Sequence, residues 1–137
     1  MGQYFLLANL DKQEYVHPHH IGGLLKLWEW CANRQAGVIP YLLRKSSETG
    51  GGDVDDPEKL LYAGRWASDR IVLIGDYDQS KLYDTVVDTY TDISEGLKQE
   101  FNEFMELDDL KLDRPDYINP DMVVGGGGAV SSPKIKT

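Results

Sequence analysis

Cysteine is almost missing from this 137-residue chain: Cys31 is the only one. A lone cysteine closes no internal disulfide, so the fold must rely on its own hydrophobic core, and the composition fits a reducing, cytoplasmic setting. Trp28-Glu29-Trp30-Cys31 reads as helix, with Cys31 expected as a buried, inert thiol. Long apolar runs are missing too. No stretch approaches the roughly 18 residues of a membrane span, which predicts a soluble protein without a membrane partner. The opening Met1-Gly2-Gln3-Tyr4-Phe5-Leu6-Leu7 has no basic segment and too short an apolar stretch for a secretory signal. Leu6 stands where a myristoylation motif requires Ser or Thr. Basic residues are scarce, 14 against 23 acidic ones, for a formal charge of −9.

That charge is unevenly spread. Residues 1–50 carry +1, 51–75 carry −2, 76–121 carry −10 and 122–137 carry +2. A segment at −10 is repelled by phosphate backbones and anionic lipid, which argues against direct nucleic-acid binding. What is present suffices for one domain: 41% hydrophobic and 10% aromatic residues support a core, and the length fits a single unit.

Tyr4–Leu10 is apolar with aromatics and predicts a buried strand. Asn9-Leu10-Asp11-Lys12 supplies turn residues, and 13–17 predicts the second strand of a hairpin, stopped by Pro18. Ile21–Gln35 is helix-like, with Leu24, Leu27, Trp28 and Cys31 on one expected buried face and Gly37 as a left-handed cap. A short helix follows over Val38–Lys45, and Ser46–Pro57 reads as a loop with three consecutive glycines. Asp69–Asp78 contains the clearest strand, Ile71-Val72-Leu73-Ile74, whose unbroken apolar run predicts a central strand covered on both faces. From Ser80 the period turns helical. Leu82, Val86, Tyr90, Ile93, Leu97, Phe101 and Phe104 form one stripe, predicted as two helices over 80–90 and 93–107, with a capping box at Asp92-x-x-Glu95. The stripe should face the core; docking of a partner helix or a second copy is the competing reading. After Leu112 periodicity is lost, and Gly125–Gly128 has linker composition. The expected fold is α+β: a small, mostly antiparallel sheet made of the N-terminal hairpin and the 70–75 strand, packed by helices. A single domain over 1–112 is expected, followed by an irregular, flexible, Gly-rich tail over 113–137.

Four constellations carry chemistry. His17, His19, His20, Asp53, Asp69, Asp76 and Asp78 are residue types that bind a divalent metal, and several follow expected strands, although no metal-site spacing is present. The run Gly50-Gly51-Gly52 offers backbone N–H groups to an anion, but Asp53, Asp55 and Asp56 follow it and repel phosphate. Arg70, beside Asp69, reads as a structural ion pair, with substrate anchoring as the sharper alternative. Asp84, Asp88, Asp92 and Glu95 are spaced to share one helical face, and Glu100, Glu103 and Glu106 extend the acidic surface. Such a face is usually solvated; it also fits docking on a basic partner, with salt-sensitive association.

Met1-Gly2-Gln3-Tyr4, Asn9-Leu10-Asp11-Lys12, Pro18-His19, Gly50-Gly51-Gly52-Asp53, Trp66-Ala67-Ser68-Asp69-Arg70-Ile71-Val72, Gly75-Asp76-Tyr77 and Asp92-Ile93-Ser94 occur in this order. In that series the chain resembles a family of small, mostly uncharacterised bacterial and phage proteins. The resemblance covers residues 1–95 and implies a phage or bacterial setting without implying an activity. The expected function is that of an acidic accessory or regulatory protein docking on a basic protein partner through Asp84, Asp88, Asp92, Glu95, Glu100 and Glu103. The alternatives are a metal-assisted hydrolase using His17, His19, Asp53, Asp69, Arg70 and Asp76, and an assembly protein with its C-terminal tail as an arm.

Overall fold

The computed structural model describes residues 2–112; the expected tail over 113–137 lies outside the described residues. The fold is α+β. Strand β1 (Phe5–Asn9) and β2 (Glu14–Val16) form the expected hairpin. Its turn is held by Asn9, whose Oδ1 accepts from the backbone N–H groups of Asp11 (2.9 Å) and Lys12 (2.8 Å). This is the local bonding that makes Asn a turn residue. Helices α1 (Leu27–Ala32) and α2 (Val38–Leu43) precede a long connection to β3 (Ile71–Gly75). Then come α3 (Leu82–Thr89), a two-residue β4 (Thr91–Asp92) and α4 (Ser94–Phe104). The sheet order is β3-β1-β2-β4, with β1 antiparallel to both neighbours and β4 parallel to β2.

Several expectations are corrected. The apolar run of β3 predicted a central strand, but β3 lies at the sheet edge, and the centre is β1, where Leu6, Leu7 and Ala8 are all buried. An apolar run shows that both faces of a strand are covered, not that both of its edges are paired. Leu73 joins a core with Leu7, Val16, Trp30, Leu42, Leu97 and Phe101; Val72 joins the opposite core with Leu6, Ala8, Tyr15, Ile74 and Val86.

The predicted helix over 21–35 is broken. Gly22 takes φ +78° and ends a turn over Pro18–Ile21. The chain then leaves helical structure, because the buried Gln35 side chain brackets Leu24: Gln35 Oε1 accepts from Leu24 N (2.7 Å) and Gln35 Nε2 donates to Leu24 O (2.7 Å). A Cβ at position 23 would collide with the Gln35 amide, so this close approach requires glycine there. The remaining helix α1 is rotated from the expected face. Trp30 is buried and donates to Phe5 O (3.0 Å), whereas Leu27 and Trp28 are exposed at 51% and 63%. Cys31 is exposed too, so the buried-thiol reading fails with the face it rested on. Gly37 is right-handed (φ −63°) rather than a left-handed cap, and lies against the Phe101 ring.

The seven-residue stripe is buried or half-buried throughout, but it divides. Leu82, Val86 and Tyr90 pack on one core; Ile93, Leu97, Phe101 and Phe104 pack on the other. Between them, Thr91 N donates to Gln13 O (2.9 Å) and Ile93 N donates to Tyr15 O (3.0 Å), so the chain crosses the sheet edge as β4. The expected capping box is replaced by a shorter turn in which Asp92 Oδ1 accepts from Ser94 N (2.9 Å). No helix among the described residues is long and apolar enough to cross a membrane.

Candidate functional site

The three histidines gather where β2 ends. His17 Nδ1 accepts from His19 N (3.2 Å), the His17 and His20 rings stack at 4.6 Å, and the His17 and His19 rings tilt together at 5.3 Å. His20 Nδ1 lies 2.7 Å from Asp92 Oδ2, and Ser94 Oγ accepts from His17 N at 2.8 Å, which ties the cluster to the start of α4. Burial, reinforced by the neighbouring His20 and His19, pushes the His17 imidazole down to about 4, against an opposing pull from Asp92. The ring is therefore neutral at pH 7.

The acids named with them lie elsewhere, each holding a local structure. Asp53 takes the fork of Arg44 (Nε–Oδ1 2.6 Å, Nη2–Oδ2 2.7 Å). Asp69 accepts from Lys12 Nζ (2.6 Å) and Asn9 Nδ2 (2.8 Å), pinning the hairpin turn to the start of β3. Asp76 accepts from Tyr4 N (2.9 Å), and Asp78 accepts from Ser80 N (3.1 Å) and from the Ser80 hydroxyl. Arg70 pairs with Asp11 rather than Asp69, at 2.8 Å from both Nε and Nη2. That contact, led by the Arg70 N–H bond, holds the Asp11 carboxyl below its ordinary range. Among the described residues no group of three or more His, Cys, Asp or Glu is placed to hold a metal ion. A Cβ at Gly50, Gly51 or Gly52 would meet nothing, and only Gly52 needs its glycine, for φ +84°.

The acidic row also divides. Asp84 and Asp88 lie on α3, Asp92 on β4, and Glu95, Glu100 and Glu103 on α4, so helical spacing relates them only within each helix. Glu100 differs from the others. Its Oε1 accepts from Leu61 N (2.8 Å), and its Oε2 accepts from Tyr62 N (3.0 Å), Ala63 N (3.0 Å) and the Tyr41 hydroxyl (2.8 Å). A carboxylate receiving three successive backbone N–H groups is a charge-assisted anchor. It fastens the 61–63 turn to α4. Burial and the Glu100 bond raise the Tyr41 phenol above its ordinary range. A second buried anchor is Glu14 on β2, which takes Arg65 (Nη2–Oε2 2.6 Å) and the indole N–H of the fully buried Trp66 (2.9 Å). Burial opposes its charge, but these donors more than offset that and hold its carboxyl below the usual range.

The anchors at Asp53 and Glu100 bring together three segments that sequence reading did not connect: 52–60, α4 and 107–110. Between them lies a cavity of about 670 Å³. Tyr41, Val54, Leu60, Phe104, Leu107 and Leu110 supply its apolar lining, and Asp55, Asp56, Glu103 and Glu106 supply carboxylates, with Lys59 the one cationic lining residue among those described. Lys59 stands 3.6 Å from Asp56, both well exposed, a pair worth little in water. Leu107 and Leu110 are exposed at 65% and 47%. Tyr41, Val54, Leu60, Leu107 and Leu110 were not singled out from sequence. The visible signal was the spacing Leu107-Asp108-Asp109-Leu110, two apolar residues three apart on a short acidic turn. The described chain ends beside this wall: Asn102 Oδ1 accepts from Leu112 N (2.7 Å), and Asn102 Nδ2 donates to Leu112 O (3.1 Å).

Compared with known protein families, curated proteins and solved structures, the chain matches none of them.

Proposed function

We propose that this protein is an acidic accessory or regulatory binding protein that docks a cationic segment of a protein partner, anchored by an aliphatic side chain, in the groove between the 52–60 loop, α4 and the 107–110 turn. The observation carrying this reading is the combination of an apolar floor with a carboxylate rim, while the candidate catalytic acids are each engaged in holding the fold. An aliphatic side chain on Leu60 and Leu110 would supply affinity, and Lys or Arg beside it would meet Asp55, Asp56, Glu103 and Glu106. Rim charges of this kind chiefly set the association rate and its salt dependence. The docking surface thus centres on Glu103 and Glu106 with the two loop aspartates. Asp84, Asp88, Asp92 and Glu95 extend the negative field, and Glu100 contributes by shaping the wall. A cytoplasmic, phage or bacterial setting belongs to the same proposal and rests on the motif series in residues 1–95.

The test is fluorescence anisotropy with a labelled Lys-Leu-Lys-containing peptide at 50 and 500 mM salt, using the full chain. Binding that weakens at least tenfold at high salt and is lost in the Glu103→Lys/Glu106→Lys variant supports the reading. Equal binding by wild type and variant refutes it.

A further inference from the structure

We propose that the groove has an occupant within the same chain: the basic segment Ser131–Thr137, which competes in cis with the external partner. The inference rests on the docking reading above and adds its regulation. Residues 122–137 contain Lys134 and Lys136 and no acid, the one stretch of clear positive charge in a chain at −9. Ile135 stands between the two lysines, so the segment has the composition the groove selects: one aliphatic side chain for the floor and two ammonium groups for the rim. Its point of departure is equally specific. The described chain ends at Leu112, held by Asn102 on α4, two residues after Leu110 of the groove wall. Residues 113–133 separate that exit from Lys134, and a chain of about 20 residues can reach as far as roughly 70 Å. The tether is therefore long enough to return to the groove without strain. It keeps the segment at an effective concentration of order 1 mM. An intrinsic affinity near 0.1 mM then leaves the groove about nine-tenths filled and weakens an external competitor about tenfold. An outside partner must out-compete the tail, and any modification that removes charge from Lys134 or Lys136 opens the site.

The experiment compares the full-length wild type with the full-length Lys134→Glu/Lys136→Glu variant, whose changes lie outside the described residues. The probe is a labelled synthetic peptide of residues 128–137. Tighter binding by the variant, of the order of tenfold, is expected, with amide shifts at Glu103, Leu107 and Leu110 distinguishing the two proteins before peptide is added. Equal, measurable binding by both, without such shifts, overturns the cis occupant and leaves the groove reading standing. If neither binds this peptide while the Lys-Leu-Lys peptide binds wild type, the cis occupant alone fails. Binding of neither peptide to either protein removes both readings.

Discussion

Replacing Glu100 by Gln tests how the groove wall is built. The carboxylate accepts four hydrogen bonds, three from successive backbone N–H groups and one from Tyr41. A glutamine oxygen placed at Oε2 retains three of them, but its NH2 then faces Leu61 N–H, donor against donor. Hydrogen bonds to charged groups contribute about 1.5–3 kcal/mol each and neutral ones about 0.5–1.5. Neutralising three therefore removes about 3 kcal/mol. The lost Leu61 bond adds little, because that residue is largely exposed and its N–H can turn to water. Allowing for non-additivity, the expected loss is about 2–3 kcal/mol, with Glu100→Ala at about 3–5. Urea unfolding followed by tryptophan fluorescence reads this directly. With a slope of about 1.5 kcal/mol/M for a domain of this size, the midpoint should fall by about 1.3–2 M for the glutamine variant. Tyr41→Phe, which deletes one donor, should be milder alone and milder still on the Gln background, where the bond it removes is to a neutral oxygen. A glutamine variant within about 0.5 kcal/mol of wild type, the usual range for a neutral surface change, would refute the anchoring role.

Two further outcomes are expected. His17 has a folded pKa of about 4 against an ordinary 6.5, so the unfolded chain binds the proton first, and stability falls as pH drops from about 6.5 toward 4. The groups facing it are His19, His20 and Asp92. Because the ring is only about half buried, the contribution is about 1–2 kcal/mol rather than the full linkage value. His17→Asn should flatten the denaturation midpoint between pH 7 and pH 5, and an unchanged slope would contradict the assignment. Gly96→Ala separates propensity from packing: alanine favours the helix by about 1 kcal/mol, yet its Cβ would collide with the Tyr62 phenol. A lower melting temperature is expected, and a higher one would show that Tyr62 moves freely.

Elements with strong local periodicity were legible in the sequence. The hairpin, β3 and the two helices after residue 80 lie close to where pattern and turn residues place them, because each buries its own stripe with few outside constraints. Readings that depended on distant partners failed. Gln35, eleven residues away, takes both backbone polar groups of Leu24 and keeps it out of a helix, which no window over 21–35 reveals. β4 is two residues long and exists because Gln13 and Tyr15 offer carbonyl oxygens to it. The acidic run around 84–106 was visible as charge, but charge does not say which carboxylates bond inward. Glu100 does, while Glu103 lines the groove. The groove itself was invisible because its walls come from 52–60, α4 and 107–110, joined through Arg44–Asp53 and Glu100 with the 61–63 turn. The histidines follow β2, Asp69 precedes β3, Asp76 and Asp78 follow it, and Asp53 lies in the loop after α2, so topology separates the acids from the histidines.

The most direct measurement is amide chemical-shift mapping of the full chain during titration with the Lys-Leu-Lys peptide at low salt. The account expects saturable shifts concentrated at Val54, Leu60, Glu103, Leu107 and Leu110, fading at 500 mM salt. Shifts centred on Leu27 and Trp28 of α1, or no saturable shift at any residue, would contradict it.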